Sequence, residues 1–270
     1  MTEQPDWPAM FDGLAEHYDQ SGVPFFGTIA EGLVNALAPA PGERALDIGC
    51  GRGAATFRLA ERVGPTGHVD AIDLAPTMVR LTAREAAERG LDHVTVAEGD
   101  ASDPPFEPGS HDLAASSLVL FFLPKPEEAV RRWLRLLVPG GRVGAATFQP
   151  LSDTWRGIED VFAEYAPEPL PLGRDGNGLF DSDRRLERLF SRAGAQEVRT
   201  ETADYAIPFE DAAQWKRWSQ GSPMRGLWLR TPPEAHAEIL GRVGELLDGT
   251  RVDGGPARIQ VGVRYTLGRA

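Results

Sequence analysis

Residues Ala45 to Gly53 read Ala-Leu-Asp-Ile-Gly-Cys-Gly-Arg-Gly, an apolar strand that runs directly into a turn with glycine at every second position. Glycines so spaced let the backbone take positive φ and turn sharply from a strand into a helix, the opening of a strand–helix–strand unit. Asp47 stands two residues before the first of these glycines. A loop that cradles phosphate through backbone N–H groups and a helix N-terminus favours anions. An acid aimed into such a loop is poorly matched to pyrophosphate and well matched to an amino group or a sulfonium.

Two other readings stand beside this one. Gly49, Gly51 and Ala54 also satisfy Gly-x-Gly-x-x-Ala, the dinucleotide fingerprint of NAD-dependent oxidoreductases. The turn could also be purely structural, with Asp47 capping the following helix. The loop alone does not choose among the three.

From Ala45 onward, strand-like and helix-like segments alternate, which points to a parallel sheet covered on both faces, an α/β doubly wound architecture. Strands are expected at Arg44 to Ile48, His68 to Leu74, Val94 to Glu98, Asp112 to Leu120 and Arg142 to Phe148. Helices are expected around Phe57 to Val63, over Ala75 to Arg89, and over Pro126 to Leu137, the last stopped by Pro139-Gly140-Gly141. Later come a helix near Trp155 to Tyr165, a Pro/Gly-rich loop from Pro167 to Gly178, a helix at Asp183 to Ala193, and strands at Val198 to Ile207 and Val261 to Leu267. A structureless loop over Phe209 to Gly249 would be far too long for a compact domain, so that segment is read as a helical insertion.

The chain of 270 residues suits one domain with elaborations, spanning residues 1–270. Its net charge of −12 opposes nucleic acids and anionic membrane surfaces, so neither is an expected partner. The lone cysteine, Cys50, lies inside the glycine loop, which excludes an intrachain disulfide and a thiolate metal cluster. No metal is expected. Met1 to Pro8 lacks a basic stretch followed by an apolar run, and with one cysteine a cytoplasmic location is expected.

Carboxylates recur at the expected strand ends. Asp73 closes the second strand, where it can accept both hydroxyls of a ribose or cap the helix that begins at Pro76. Glu98-Gly-Asp100-Ala101 follows the third. With Asp47, Gly49, Gly51 and Gly53 in the form Asp-x-Gly-x-Gly-x-Gly, and a Pro-Gly-Gly-Arg stop before the fifth strand, the chain resembles the class I S-adenosylmethionine-dependent methyltransferases, in their small-molecule, UbiE-like branch. The motifs cover Tyr18 to Phe148; beyond that, only the order of elements is alike. The resemblance implies a Rossmann-like seven-stranded sheet of order 3-2-1-4-5-7-6 with the last strand antiparallel, a helical lid over residues 1–40, and cap insertions at 149–182 and 209–250.

It further implies S-adenosyl-L-methionine as cofactor. Tyr18 would close over it, Asp47, Gly49, Cys50 and Gly51 would form the loop beneath it, and Asp73, Leu74 and Met78 would hold the ribose side. Asp100 would meet the adenine amino group, the Ala101 backbone the ring, and Ser116 and Ser117 the methionine part. Where relatives often carry a histidine after the fourth strand, this chain has Phe121 and Phe122, an apolar substitution. His17 is then the histidine best placed as a base, while His68, His93 and His111 are expected in solvent at the opposite sheet end, and His236 is open.

Trp155, Trp215 and Trp218 sit in the insertions with Phe162, Tyr165, Met224 and Trp228, and with Phe121 and Phe122 they suggest an apolar acceptor pocket. Arg217 and Arg225 are candidates for an acceptor carboxylate or plain surface. The expected activity is methyl transfer to an O, N or C nucleophile of a small, largely apolar metabolite of the kind made in natural-product biosynthesis. The alternatives are a cofactor-binding fold without transfer, such as a cyclase or binding protein, and an NAD-dependent oxidoreductase, against which Asp47 and Asp100 argue.

Overall fold

The short apolar runs become seven strands, β1 (Arg44–Ile48), β2 (His68–Asp73), β3 (Val94–Glu98), β4 (His111–Ser117), β5 (Leu137–Phe148), β6 (Gln196–Phe209) and β7 (Ala257–Arg269). They form one sheet of order β3-β2-β1-β4-β5-β7-β6, in which β7 is antiparallel to both neighbours and the other pairs are parallel. This is the expected order. The computed structural model describes residues 6–166 and 178–270, so the expected loop from Pro167 lies outside the described residues up to Gly178.

Helices cover both faces because the inner strands are apolar on both. Leu46 and Ile48 of β1 pack with Val130, Trp133 and Leu134 of α5 (Pro126–Arg135) and with Leu189 and Phe190 of α7 (Asp183–Ala193). Ala45 turns the other way, toward α2 (Phe25–Leu37) and α3 (Thr56–Val63), through Leu33, Leu59 and Val63. Asp47 shares the parity of Ala45 and therefore reaches α3. α1 (Trp7–Leu14) lies against α4 (Pro76–Glu88), where Ala15 meets Ala75, Met78 and Leu81.

Several boundaries differ from expectation for identifiable reasons. β4 ends at Ser117 instead of Leu120: Leu118 takes φ 61°, and Leu120–Phe122 form a 3₁₀ turn. The apolar run continues past the strand because those side chains close the top of the sheet. β5 begins at Leu137, before the Pro-Gly-Gly stop, since the Gly140 amide donates to the Ala270 carbonyl and the Ala270 amide to Gly141. α5 correspondingly ends at Arg135. β6 and β7 pair from Gln196↔Arg269 to Phe209↔Ala257, longer than their alternating middles, because the ladder is backbone and needs no apolar pattern at its ends.

The long later segment is helical: α8 (Ala212–Gln220), α9 (Arg225–Arg230) and α10 (His236–Asp248) pack with α6 (Asp153–Ala163), whose first turn is capped by the Ser152 hydroxyl accepting from the Trp155 amide. His111 corrects another expectation. It is buried at the amino ends of β2 and β4, its Nε2 3.0 Å from Asp70 Oδ2 and its Nδ1 2.8 Å from Ser110 Oγ, so ring and carboxylate satisfy each other where solvent is absent. Among the described residues no helix is long and apolar enough to cross a membrane.

Candidate active site

At the carboxyl ends of β1 to β4 the sequence-flagged residues converge. The Gly51 amide donates to Asp73 Oδ2 at 2.8 Å, Asp73 Oδ1 accepts from the Ala75 amide at 2.9 Å, and the Thr82 hydroxyl donates to the Gly51 carbonyl at 2.7 Å. The glycine loop is thus tied to β2 and α4 before any ligand arrives. Gly49 has φ 75°, and a Cβ there would sit 2.4 Å from Val119. Gly51 has φ 51°, yet a Cβ there would meet nothing closer than the Tyr18 ring at 4.0 Å, which leaves a cradle above its backbone.

Asp100 Oδ1 accepts from the Ser102 amide at 2.7 Å, and the turn is held from behind by Trp133, whose Nε1 donates to the Ala101 carbonyl at 2.7 Å, and by Arg132, which donates to the Ser102 carbonyl at 2.8 Å. Neither residue stood out in the sequence; Trp133 reads as an ordinary core position of an amphipathic helix. Leu74 is 49% exposed beside this groove, while Met78 is buried under α1. Ser116 is buried, its Oγ without a hydrogen-bond partner among the described residues, and Ser117 ends β4 beside it.

Asp47 is the electrostatic centre. Its Oδ2 accepts from the Thr56 hydroxyl at 2.6 Å, while Oδ1 is buried with no hydrogen-bond partner among the described residues. Burial pushes its carboxyl up to about 7, with the Thr56 hydrogen bond opposing and Asp73 reinforcing. Burial raises Asp73 as well, against the amide hydrogen bonds it accepts. An orphaned carboxylate oxygen beneath an open glycine cradle fits a ligand carrying an amino group, and the acid-rich groove does not fit pyrophosphate. Cys50 is buried in the same loop with its thiol pushed up by burial, so it is no nucleophile.

α1 closes over this groove. The Asp12 carboxylate accepts from the Thr77 amide at 2.7 Å in the first turn of α4, and Arg52 of the glycine loop donates to the Ala15 carbonyl at 2.9 Å. Tyr18 stacks on Phe26 with ring centroids 4.5 Å apart, and burial pushes its phenol upward. Its neighbour His17, the histidine expected as a base, is exposed and does not line the neighbouring cavity.

Beside the groove lies a cavity of about 460 Å³. Phe121, Phe122, Trp155 and Trp218 line it, as the aromatic count of the insertions leads one to expect. Phe11, Phe25, Phe26, Phe148 and Phe180 also line it and were not singled out, because nothing local separates a cavity phenylalanine from a core one. Trp215 does not line it. It is fully buried against Phe162 and Trp228 in the core of the cap. Arg217 is exposed and Arg225 half-buried, and neither lines the cavity; Arg156 does. His236 bonds within the cap, its Nε2 3.1 Å from Thr231 Oγ1.

Comparison with known proteins agrees with this geometry. Residues 45–141 match the family model described as "Methyltransferase domain". Nocamycin O-methyltransferase of Saccharothrix syringae is 35% identical over 272 residues, covering 96% of this chain and 97% of that one. Aklanonic acid methyltransferase DauC of Streptomyces sp. (strain C5) is 37% identical over 204 residues, 72% of this chain and 93% of that one. Among solved structures, the YcgJ protein of Bacillus subtilis superposes with a TM-score of 0.59 at 19% identity, covering 89% of this chain and 97% of that one, a likeness of fold.

Proposed function

The chain belongs to the S-adenosylmethionine-dependent methyltransferases, and on that premise we propose that it methylates a small, largely apolar aromatic metabolite held in the cavity beside the glycine loop. Methyl transfer from S-adenosyl-L-methionine is the activity of the family. What carries the choice of acceptor is the aromatic lining, with Leu118 just beyond β4 and Tyr18 over the glycine loop bringing that lining to the cofactor groove. The two similar O-methyltransferase and acid methyltransferase relatives make an oxygen nucleophile the first choice.

When bound, the cofactor supplies a methyl group already activated by a positive sulfur. It would give up that methyl to the acceptor's nucleophile, with the carbon–sulfur electron pair kept on sulfur and the acceptor's proton released to water. The chain's own part is to bind, orient and exclude solvent. Asp47 would pair with the cofactor's amino group, Asp73 with its ribose, and the turn at Asp100–Ala101, pinned by Trp133, with its base. Orienting two bound reactants lowers a barrier by ~7–11 kcal/mol, against ~10²–10⁴-fold for a placed general base. With His17 in solvent, orientation is the main source of rate.

In the same proposal, residues 1–40 act as the lid and the helices within 149–182 and 209–250 as the cap of one domain spanning residues 1–270, working in the cytoplasm on a small molecule. Cofactor binding measured by calorimetry, followed by S-adenosylhomocysteine formation across a panel of phenolic and carboxylic aromatic acceptors, tests it. A folded protein that binds no S-adenosylhomocysteine refutes the site. Tight binding with no turnover of any aromatic acceptor refutes the acceptor class.

A further inference from the structure

The cavity lining changes character with exposure. Its floor is buried and apolar: Leu118 is 8%, Trp155 7% and Trp218 4% exposed. The remaining lining includes Arg156, with a side chain 60% exposed, together with exposed Asp181 and Gln260 and half-buried Glu159. Leu118, just beyond β4, and Tyr18 mark the end next to the glycine loop, where the methyl group is transferred. The exposed polar ones therefore mark the mouth at the other end.

Arg156 is held in place there. Its Nε and Nη2 both donate to the Leu151 carbonyl, at 3.0 and 2.7 Å, which fixes the guanidinium plane against the first turn of α6. Among the described residues it pairs only with the carboxylate of Asp153, at 4.0 Å and fully exposed, a pairing worth little. Nη1 has no hydrogen-bond partner among the described residues, so one edge of a rigid planar donor stays available at the mouth.

We propose that Arg156 is a specificity-determining residue that hydrogen-bonds an oxygen substituent at the acceptor's outer edge. The acceptor is then a compact polycyclic aromatic molecule bearing hydroxyl, keto or carboxylate oxygen at that edge, not an aromatic head with a long hydrocarbon tail. This rests on the methyltransferase reading of the cavity. A tail has to leave through the mouth, where it would strip water from Arg156, Asp181 and Gln260 and return no hydrogen bonds, whereas oxygens replace the water they displace. Asp181 accepts from a hydroxyl at the same edge, which favours a mixed hydroxyl and carbonyl pattern over a lone anion.

The test is calorimetry on the full chain saturated with S-adenosylhomocysteine, using 4,5-dihydroxyanthraquinone-2-carboxylic acid and a geranyl-substituted naphthoquinone as probes. The oxygenated anthraquinone is expected to bind more tightly than the tailed quinone. Arg156→Ala should weaken it on the order of tenfold, the worth of a charge-assisted hydrogen bond, and Arg156→Lys should recover only part. The tailed quinone should not lose affinity in Arg156→Ala. Unchanged anthraquinone affinity in that variant, or preference for the tailed quinone, overturns this inference and leaves the methyltransferase reading standing. Failure of the protein to bind S-adenosylhomocysteine at all refutes that reading instead.

Discussion

The Asp73 carboxylate and the Gly51 amide, 22 positions apart in sequence, are joined by a 2.8 Å hydrogen bond. One acid at the end of β2 therefore anchors the glycine loop at the groove proposed to hold the cofactor's ribose.

Asp73→Ala should weaken S-adenosylmethionine binding by about 1.5–3 kcal/mol, because charge-assisted hydrogen bonds to the ribose are lost and the Gly51 amide is freed. Asp73→Asn keeps one acceptor for the amide and should lose less. Calorimetry on both folded variants checks this, and equal affinity in wild type and Asp73→Ala would leave the carboxylate a loop anchor only.

The two glycines of the loop should fail differently. Gly49→Ala places a methyl 2.4 Å from Val119 at φ 75°, so it should lower the melting temperature of the ligand-free protein. Gly51→Ala has open space above it and pays about 1–2 kcal/mol for its left-handed φ, so its larger effect should be on cofactor affinity. Melting curves with and without S-adenosylhomocysteine separate the two; the reverse pattern would put the cofactor elsewhere.

Asp47 sets a pH dependence. Its carboxyl is raised by burial to about 7 in the folded chain. In the unfolded chain it ionises near about 3.9. Between about pH 4 and about 7 the native state therefore holds a proton that the unfolded state has lost, and stability should fall as pH rises through that window, then level off. A cationic amino group favours the ionised form, so S-adenosylhomocysteine should bind more tightly as pH rises toward about 7. Asp47→Asn should flatten both trends, and matching slopes in the variant and the wild type would refute the assignment.

Trp155→Phe should lower kcat/KM for the acceptor several-fold while leaving cofactor affinity nearly intact, since the side chain lines the cavity away from the glycine loop. Trp155→Ala has the stronger effect but removes a side chain only 7% exposed, so its stability must be measured alongside. A Trp155→Phe variant that loses cofactor binding with unaltered acceptor kinetics would misplace the pocket.

His17→Ala should retain kcat within a few-fold of wild type, because an exposed ring off the cavity abstracts no proton from a buried acceptor. A loss of ~10²-fold at unchanged KM would show that the turn after α1 rearranges on binding.

The convergence of the strand-end acids, proposed here as the cofactor side, was legible from the chain because those residues are defined by position along strands. A carboxylate that ends an apolar strand must emerge at one edge of a parallel sheet, so Asp47, Asp73 and Asp100 declared their common location without any distance being known. Sheet order and the helical nature of residues 209–250 followed from similar local patterns and the resemblance they support.

The acceptor side was decided by tertiary structure. Trp155 and Trp215 both sit in the insertions outside the sheet, yet one lines the cavity and the other is sealed against Phe162 and Trp228. His17 and Tyr18 are adjacent, yet only the tyrosine turns over the glycine loop. An amphipathic pattern tells that an aromatic side chain leaves water; it does not tell whether the apolar space it enters is filled by the protein or left for a ligand. That depends on how α1, α6, α8 and the ends of β5 and β7 are brought together, a relation between distant segments that no local spacing encodes.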